Sequence, residues 1–177
     1  TAVGGGVAEM LHRMLPLFKE LGLDTRWDVI TGGDEFFQTT KAFHNGIHGT
    51  PVELPKQGLE HYLETNTQNA SQLSFIEGVV VIHDPQPAAL VRARQRTDAR
   101  WVWRCHIDVS RPYRPVWKYL RRFAVEYDAS IFSLADFAQP LPHPQYLIPP
   151  SIDPLSDKNR ELSESEVLSK REAFGLD

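Results

Sequence analysis

The stretch Gly78-Val79-Val80-Val81-Ile82-His83-Asp84 decides the fold. A run of β-branched residues, opened by a glycine and closed by a polar pair, predicts a strand buried on both faces, as in a parallel sheet with helices above and below. Downstream, Pro85-Gln86-Pro87 turns the chain into a short helix through Leu90 and Val91, and Trp101-Val102-Trp103-Arg104-Cys105-His106-Ile107 makes the next strand. Val116, Tyr119, Leu120 and Phe123 recur at helical spacing, and strands over 129–134 and 145–148 close the series. Upstream, Leu59, Tyr62 and Leu63 mark a weaker helix over 57–68, and Phe36, Phe37, Thr40, Phe43 and Ile47 a stronger one. Residues 25–30 alternate Trp27 and Val29 against Arg26 and Asp28 and read as a short strand. Val7, Met10, Leu11, Met14, Leu15, Phe18 and Leu21 form the stripe of a first helix, kinked at Pro16 and closed by Gly22. Strands alternating with helices predict an α/β fold: an open, mostly parallel, Rossmann-like sheet flanked by helices.

Residues 1–150 read as one domain. From Pro149 to Glu161 the composition turns to Pro, Ser, Asp and Asn, and Ser163 with Glu166 forms a capping box for a last helix carrying Val167, Leu168 and Phe174. Residues 151–177 are therefore a linker and helix at a domain boundary. A chain of 177 residues with 41% hydrophobic content can build a real core. The net charge of -4, with no basic stripe, argues against nucleic acid as a partner. The longest apolar stretch falls far short of the roughly 20 residues that span a bilayer, and Thr1 onward does not resemble a signal peptide, so a cytoplasmic protein is expected. The single cysteine, Cys105, excludes an internal disulfide and lies between strand residues, where a buried structural thiol is expected.

Three places carry candidate chemistry. Gly4-Gly5-Gly6 followed at once by a helix puts bare backbone N–H groups beside the positive end of a helix dipole, where phosphate oxygens bind; a plain tight turn is the alternative. It is not the dinucleotide fingerprint, because Val7-Ala8-Glu9 follows where a third spaced glycine is required. His83-Asp84 with Gln86 follows the valine run, and Arg104, His106 and Asp108 end the tryptophan strand, so both clusters reach the carboxyl edge of the sheet. There His106 can take or give a proton near neutrality, the two aspartates can accept from hydroxyls, and Arg104 can hold an anion. The plainer reading is that these residues cap strand ends and bind one another. Two imidazoles and two carboxylates would also suffice for a hydrolytic metal site, but His44, His48, His61 and His143 are scattered and no further ligand motif is present, so no metal is expected. Glu164 and Glu172 have the spacing of a functional glutamate pair in glycosyltransferases, but they sit on a polar helix and read as a solvated face.

The motifs Thr1-Ala2-Val3-Gly4-Gly5-Gly6-Val7-Ala8-Glu9, Glu35-Phe36-Phe37, Lys41-Ala42-Phe43-His44-Asn45, His83-Asp84-Pro85-Gln86-Pro87, Trp103-Arg104-Cys105-His106-Ile107-Asp108 and Pro149-Pro150-Ser151-Ile152-Asp153-Pro154-Leu155-Ser156 run in order along nearly the whole chain. Together they resemble the trehalose glycosyltransferring synthases of glycosyltransferase family 4, relatives of the retaining trehalose phosphorylases. The resemblance implies the N-terminal half of a GT-B enzyme, lacking the strand before the glycine loop and the C-terminal donor domain. It implies transfer of glucose from a nucleoside diphosphate glucose (UDP-, ADP- or GDP-glucose) to free glucose with retention, giving α,α-trehalose, without cofactor or metal, and in a homodimer. Carried over, Gly4, Gly5 and Gly6 would approach the donor, His106 with Arg104 would stand at the reaction centre, and His83, Asp84, Gln86 and Asp108 would hold the acceptor. Without the donor half, no turnover by these residues alone is expected. A trehalose phosphorylase fragment and a non-catalytic sugar-binding module are the rival readings.

Overall fold

Phe36, Phe43 and Ile47 fall one and two helical turns apart, and all three are fully buried on helix α2 (Asp34–Ile47). They meet Tyr62 of α3 (Lys56–Gln72) and Tyr119 and Phe123 of α4 (Arg114–Ala124) in one aromatic cluster, with ring centroids 5.0 to 6.0 Å apart. Gly46 lets α2 and α4 approach closely, since a Cβ there would lie 3.0 Å from Val116 Cβ. The computed structural model describes residues 5–73, 77–154 and 156–176.

Among the described residues the strands are four, β1 (Val79–His83), β2 (Arg100–Arg104), β3 (Ala129–Phe132) and β4 (Gln145–Leu147). They form a parallel sheet in the order β1-β2-β3-β4, as the alternation of elements predicts. Trp101 and Trp103 of β2 and Phe132 of β3 are fully buried on one face, where Trp103 stacks on Trp117 of α4 at 6.4 Å. The residues of the valine run do not all share that burial. Val79 and Val81 are 65% and 44% exposed, because β1 is an edge strand and they point to the face opposite the tryptophans, alongside the exposed Tyr146 of β4. Ile82, on the tryptophan side, is buried. The β-branched run thus specified a strand, while its two-sided burial was wrong.

Residues 25–30 are also not a strand. Among the described residues the segment has no partner strand, and it is tied down by Asn69, whose Oδ1 accepts from the Thr31 backbone N–H at 2.8 Å while its Nδ2 donates to the Thr31 carbonyl at 2.8 Å. Helix α1 (Gly6–Glu20) runs through Pro16, with Trp27 against His12 edge-on at 4.9 Å. Glu9 in its first turn meets Lys158 at 2.8 Å, and Arg13 meets Asp153 at 3.4 Å. The expected short helix after Pro87 is a 3₁₀ stretch, Ala88–Arg96. The last helix, α5 (Glu164–Ala173), carries the capping box read from the sequence, with Ser163 and Glu166 exchanging hydrogen bonds. Among the described residues no helix is long and apolar enough to cross a membrane.

Candidate functional site

The pairing of His83 with Arg104 brings the carboxyl ends of β1 and β2 level, and both candidate clusters emerge there side by side. Asp84 is the turning point. It adopts φ 64°, the one positive φ of a non-glycine residue among the described residues, a conformation Asp tolerates better than most side chains. That turn aims its Oδ1 at the backbone N–H of His106, which donates to it at 2.8 Å. The His106 ring then lies parallel to that of His83, with planes 10° apart and Nδ1 of His83 2.9 Å from Nε2 of His106.

A single proton between two imidazole nitrogens requires one ring to donate and the other to accept, so the pair is stable when both rings are neutral. Burial pushes His83 down to about 4, with Arg104 adding to the effect. His106 also falls to about 4, through burial first and then the neighbouring His83 and Arg104. Burial raises Asp84 to about 6, against the opposing pull of the His106 N–H and Arg104. Near neutrality the edge therefore presents two uncharged rings, each with one nitrogen left over, beside a carboxylate held at some electrostatic cost. Such a set suits hydroxyl groups, and imidazoles this weakly basic position a substrate better than they abstract its protons.

Arg104 is only 6% exposed. One terminal nitrogen donates to the Ile148 carbonyl at 2.7 Å, while the other, Nη1, is buried without a hydrogen-bond partner. Asp108 parts from this group. Its Oδ1 accepts from the Ser110 backbone N–H at 2.8 Å, and that hydrogen bonding, with His48 and Arg111 near, lowers its pKa. Gln86 lies in the loop after β1, where its backbone carbonyl accepts from Asn66 Nδ2 at 3.2 Å. Gly5 caps α1 with φ 84° and Gly6 opens the helix, both beside open space, whereas Gly4 lies outside the described residues. His83, Asp84 and His106 thus bind one another, as in the plainer reading of the sequence, and lie with Arg104 at one edge of the sheet, while Asp108 bonds Ser110 instead.

Cys105 is buried and its thiol is pushed far up by burial, as expected of a structural cysteine. Among the described residues no three His, Cys, Asp or Glu side chains gather as a metal-ligand set. The sequence reading missed Tyr62, Asn66, Tyr127 and the indole of Trp103, which bond the loop after β1 or, for Tyr127, the first residue of the 3₁₀ stretch that follows it. Buried polar residues such as Thr65, Asn66 and Asn69, continuing the Tyr62 face of α3, were the available signal.

A family model described as "Trehalose synthase, N-terminal domain" matches residues 1–139. The chain is 45% identical over its whole length to the trehalose synthase of Thermococcus litoralis, and 40% identical to that of Rubrobacter xylanophilus, covering 44% of each. Over 68% of its length it is 28% identical to the trehalose phosphorylase of Grifola frondosa, covering 19% of that protein. It spans less than half the length of the trehalose synthases it matches. With His83, Asp84, Arg104 and His106 all inside the matched region, the chain belongs to the family of trehalose synthase N-terminal domains.

Proposed function

We propose that this chain is the acceptor-side domain of a retaining glucosyltransferase that joins glucose from a nucleoside diphosphate glucose to free glucose, giving α,α-trehalose. The observation that carries the reading is the neutral His83–His106 pair beside Asp84 at the carboxyl edge of a parallel sheet, where open α/β sheets bind ligands. In the reaction the bond from glucose C1 to the leaving phosphate breaks and one from C1 to the acceptor oxygen forms on the same face. The acceptor hydroxyl gives its proton to the departing nucleoside diphosphate, so no enzymic nucleophile is consumed. The protein's share is orientation and electrostatics. His83, Asp84 and Gln86 hold acceptor hydroxyls, His106 positions the reacting one, and the Arg104 guanidinium supplies positive charge close by. Gly5 and Gly6, at the positive end of α1, face the donor.

NMR product analysis of the full-length protein, offered UDP-, ADP- and GDP-glucose with glucose, tests donor, acceptor and anomeric outcome together. α,α-Trehalose is expected with at least one donor, and its absence with all three sinks the reading. The 177 residues alone are expected to give no turnover. Likeness to the Grifola frondosa trehalose phosphorylase favours a second reading, phosphorolysis of trehalose. Cleavage of trehalose that requires phosphate and ignores sugar nucleotides would decide for it.

A further inference from the structure

Pro85 and Pro87 remove two backbone donors from the segment Asp84–Ala88, the loop after β1 together with the first residue of the 3₁₀ stretch, leaving its carbonyls with few N–H groups of their own to meet. Backbone bonding supplies Ala88 N–H to Pro85 at 3.2 Å and Leu90 N–H to Pro87 at 2.9 Å. Side chains from elsewhere complete the set. Trp103 Nε1 donates to the Asp84 carbonyl at 3.0 Å, and the Tyr62 hydroxyl to that of Pro85 at 2.9 Å. Asn66 Nδ2 donates to the Gln86 carbonyl at 3.2 Å, and the Tyr127 hydroxyl to that of Ala88 at 2.8 Å. Tyr62 also accepts from the Ala89 N–H at 3.2 Å, so its one hydroxyl staples both sides of the loop. Donors from α3, β2 and the turn after α4 therefore converge on one short segment, which includes the single left-handed non-glycine residue among those described.

We propose that Trp103, Tyr62, Asn66 and Tyr127 are positioning residues that clamp the Asp84–Ala88 backbone in the conformation from which His83, Asp84 and His106 meet an acceptor sugar. The proposal rests on the reading of this edge as the acceptor site. The clamp acts through Asp84. Its carbonyl is fixed by the Trp103 indole, its left-handed backbone aims the carboxyl, and the carboxyl fixes the His106 backbone and with it the ring pair. Such a loop arrives at the substrate already ordered, and little freedom is lost on binding. Asn66 is 2% exposed and its Nδ2 bridges the Tyr62 and Gln86 carbonyls, so it joins the helix and the loop directly.

Trp103→Phe and Tyr62→Phe keep an aromatic ring and delete the donor. In the 177-residue chain, amide exchange at Asp84, Gln86, Ala88 and Ala89 is expected to quicken about tenfold in either variant, with Phe132 and Leu120 unchanged. The His106 imidazole, followed by NMR, is expected to titrate closer to its ordinary value. In the full-length protein, KM for glucose should rise about tenfold while KM for the nucleotide sugar holds. Asn66→Asp, which opposes a carboxylate to two carbonyls, should behave likewise. Exchange and His106 titration unchanged in folded Trp103→Phe and Tyr62→Phe would overturn the clamp, as would equal rises in both KM values. If the wild-type full-length protein transfers no glucose, the functional reading fails, and the exchange and titration measurements alone decide whether the loop is clamped.

Discussion

Asp84→Asn separates the charge of the site from its geometry. The carboxyl stands at about 6 in the fold against an ordinary 3.8, because burial outweighs the help it receives from the His106 N–H and Arg104. Its folded pKa is raised, so stability from this group is fully present below pH 3.8 and is lost as pH rises through 6. In between, the folded protein holds a proton that the unfolded chain has released, and above 6 both states are ionised with the folded one bearing the whole cost. A shift of this size corresponds to about 3 kcal/mol at ~1.36 kcal/mol per unit. Asparagine is neutral at every pH, keeps an oxygen for the His106 N–H, and tolerates the left-handed backbone. Neither imidazole owes its shift to Asp84, so their titrations cancel in the comparison. Urea denaturation of both proteins from pH 4 to 8 is expected to show near-equal stability at pH 4. The variant's advantage should open above pH 4 and level off near 3 kcal/mol beyond pH 6.5. A pH-independent difference, or a variant less stable than wild type at pH 8, would refute the claim that Asp84 ionises at a cost.

The imidazole pair has the opposite sign. His83 and His106 are depressed to about 4, so their contribution is present above pH 6.5 and is lost as pH falls toward 4; in the Asp84→Asn chain, where the proton that Asp84 releases over the same window no longer offsets them, unfolding should take up about two protons, reduced to about one when His83→Gln is added. Calorimetric unfolding in buffers of differing ionisation heat measures that uptake. Gly46→Ala gains about 1 kcal/mol of helix propensity yet drives a methyl against Val116, for a net loss of roughly 1–2 kcal/mol. Val116→Ala in the same chain should recover part of that loss, which a double-mutant cycle on denaturation midpoints would reveal. Cys105 is expected to react with a thiol reagent only at the rate of unfolding, and fast labelling of the folded chain would contradict its burial.

Periodicity made the helices legible because it reports which face is buried, and Phe36, Phe43 and Ile47 lie where their spacing puts them. It is silent about what covers a strand. The run Val79–Ile82 states a preference for extended backbone, but its burial depends on sheet order, and β1 is at the edge. Alternation over 25–30 failed for a related reason: a strand requires a ladder, and a pattern of side chains does not supply one.

The site divides along the same line. Sheet logic alone puts residues that follow β1 and β2 on one edge, and the level pairing of His83 with Arg104 makes His83, Asp84, Arg104 and His106 neighbours. Beyond the strand ends, partners are chosen by how each loop curves. His106 is drawn back to Asp84 by a backbone hydrogen bond, whereas Asp108, two residues on, is taken by Ser110. No spacing rule distinguishes those outcomes, because both depend on main-chain donors that every residue but proline carries. The same holds for Tyr62, Asn66, Trp103 and Tyr127. Their rings and stems belong to the core and read as core, while the polar atom at the tip of each reaches a loop carbonyl that two prolines had left short of donors. A proline-rich loop after a strand therefore raises a question that the sequence can pose, namely which buried polar side chains satisfy its carbonyls, and that only the fold answers.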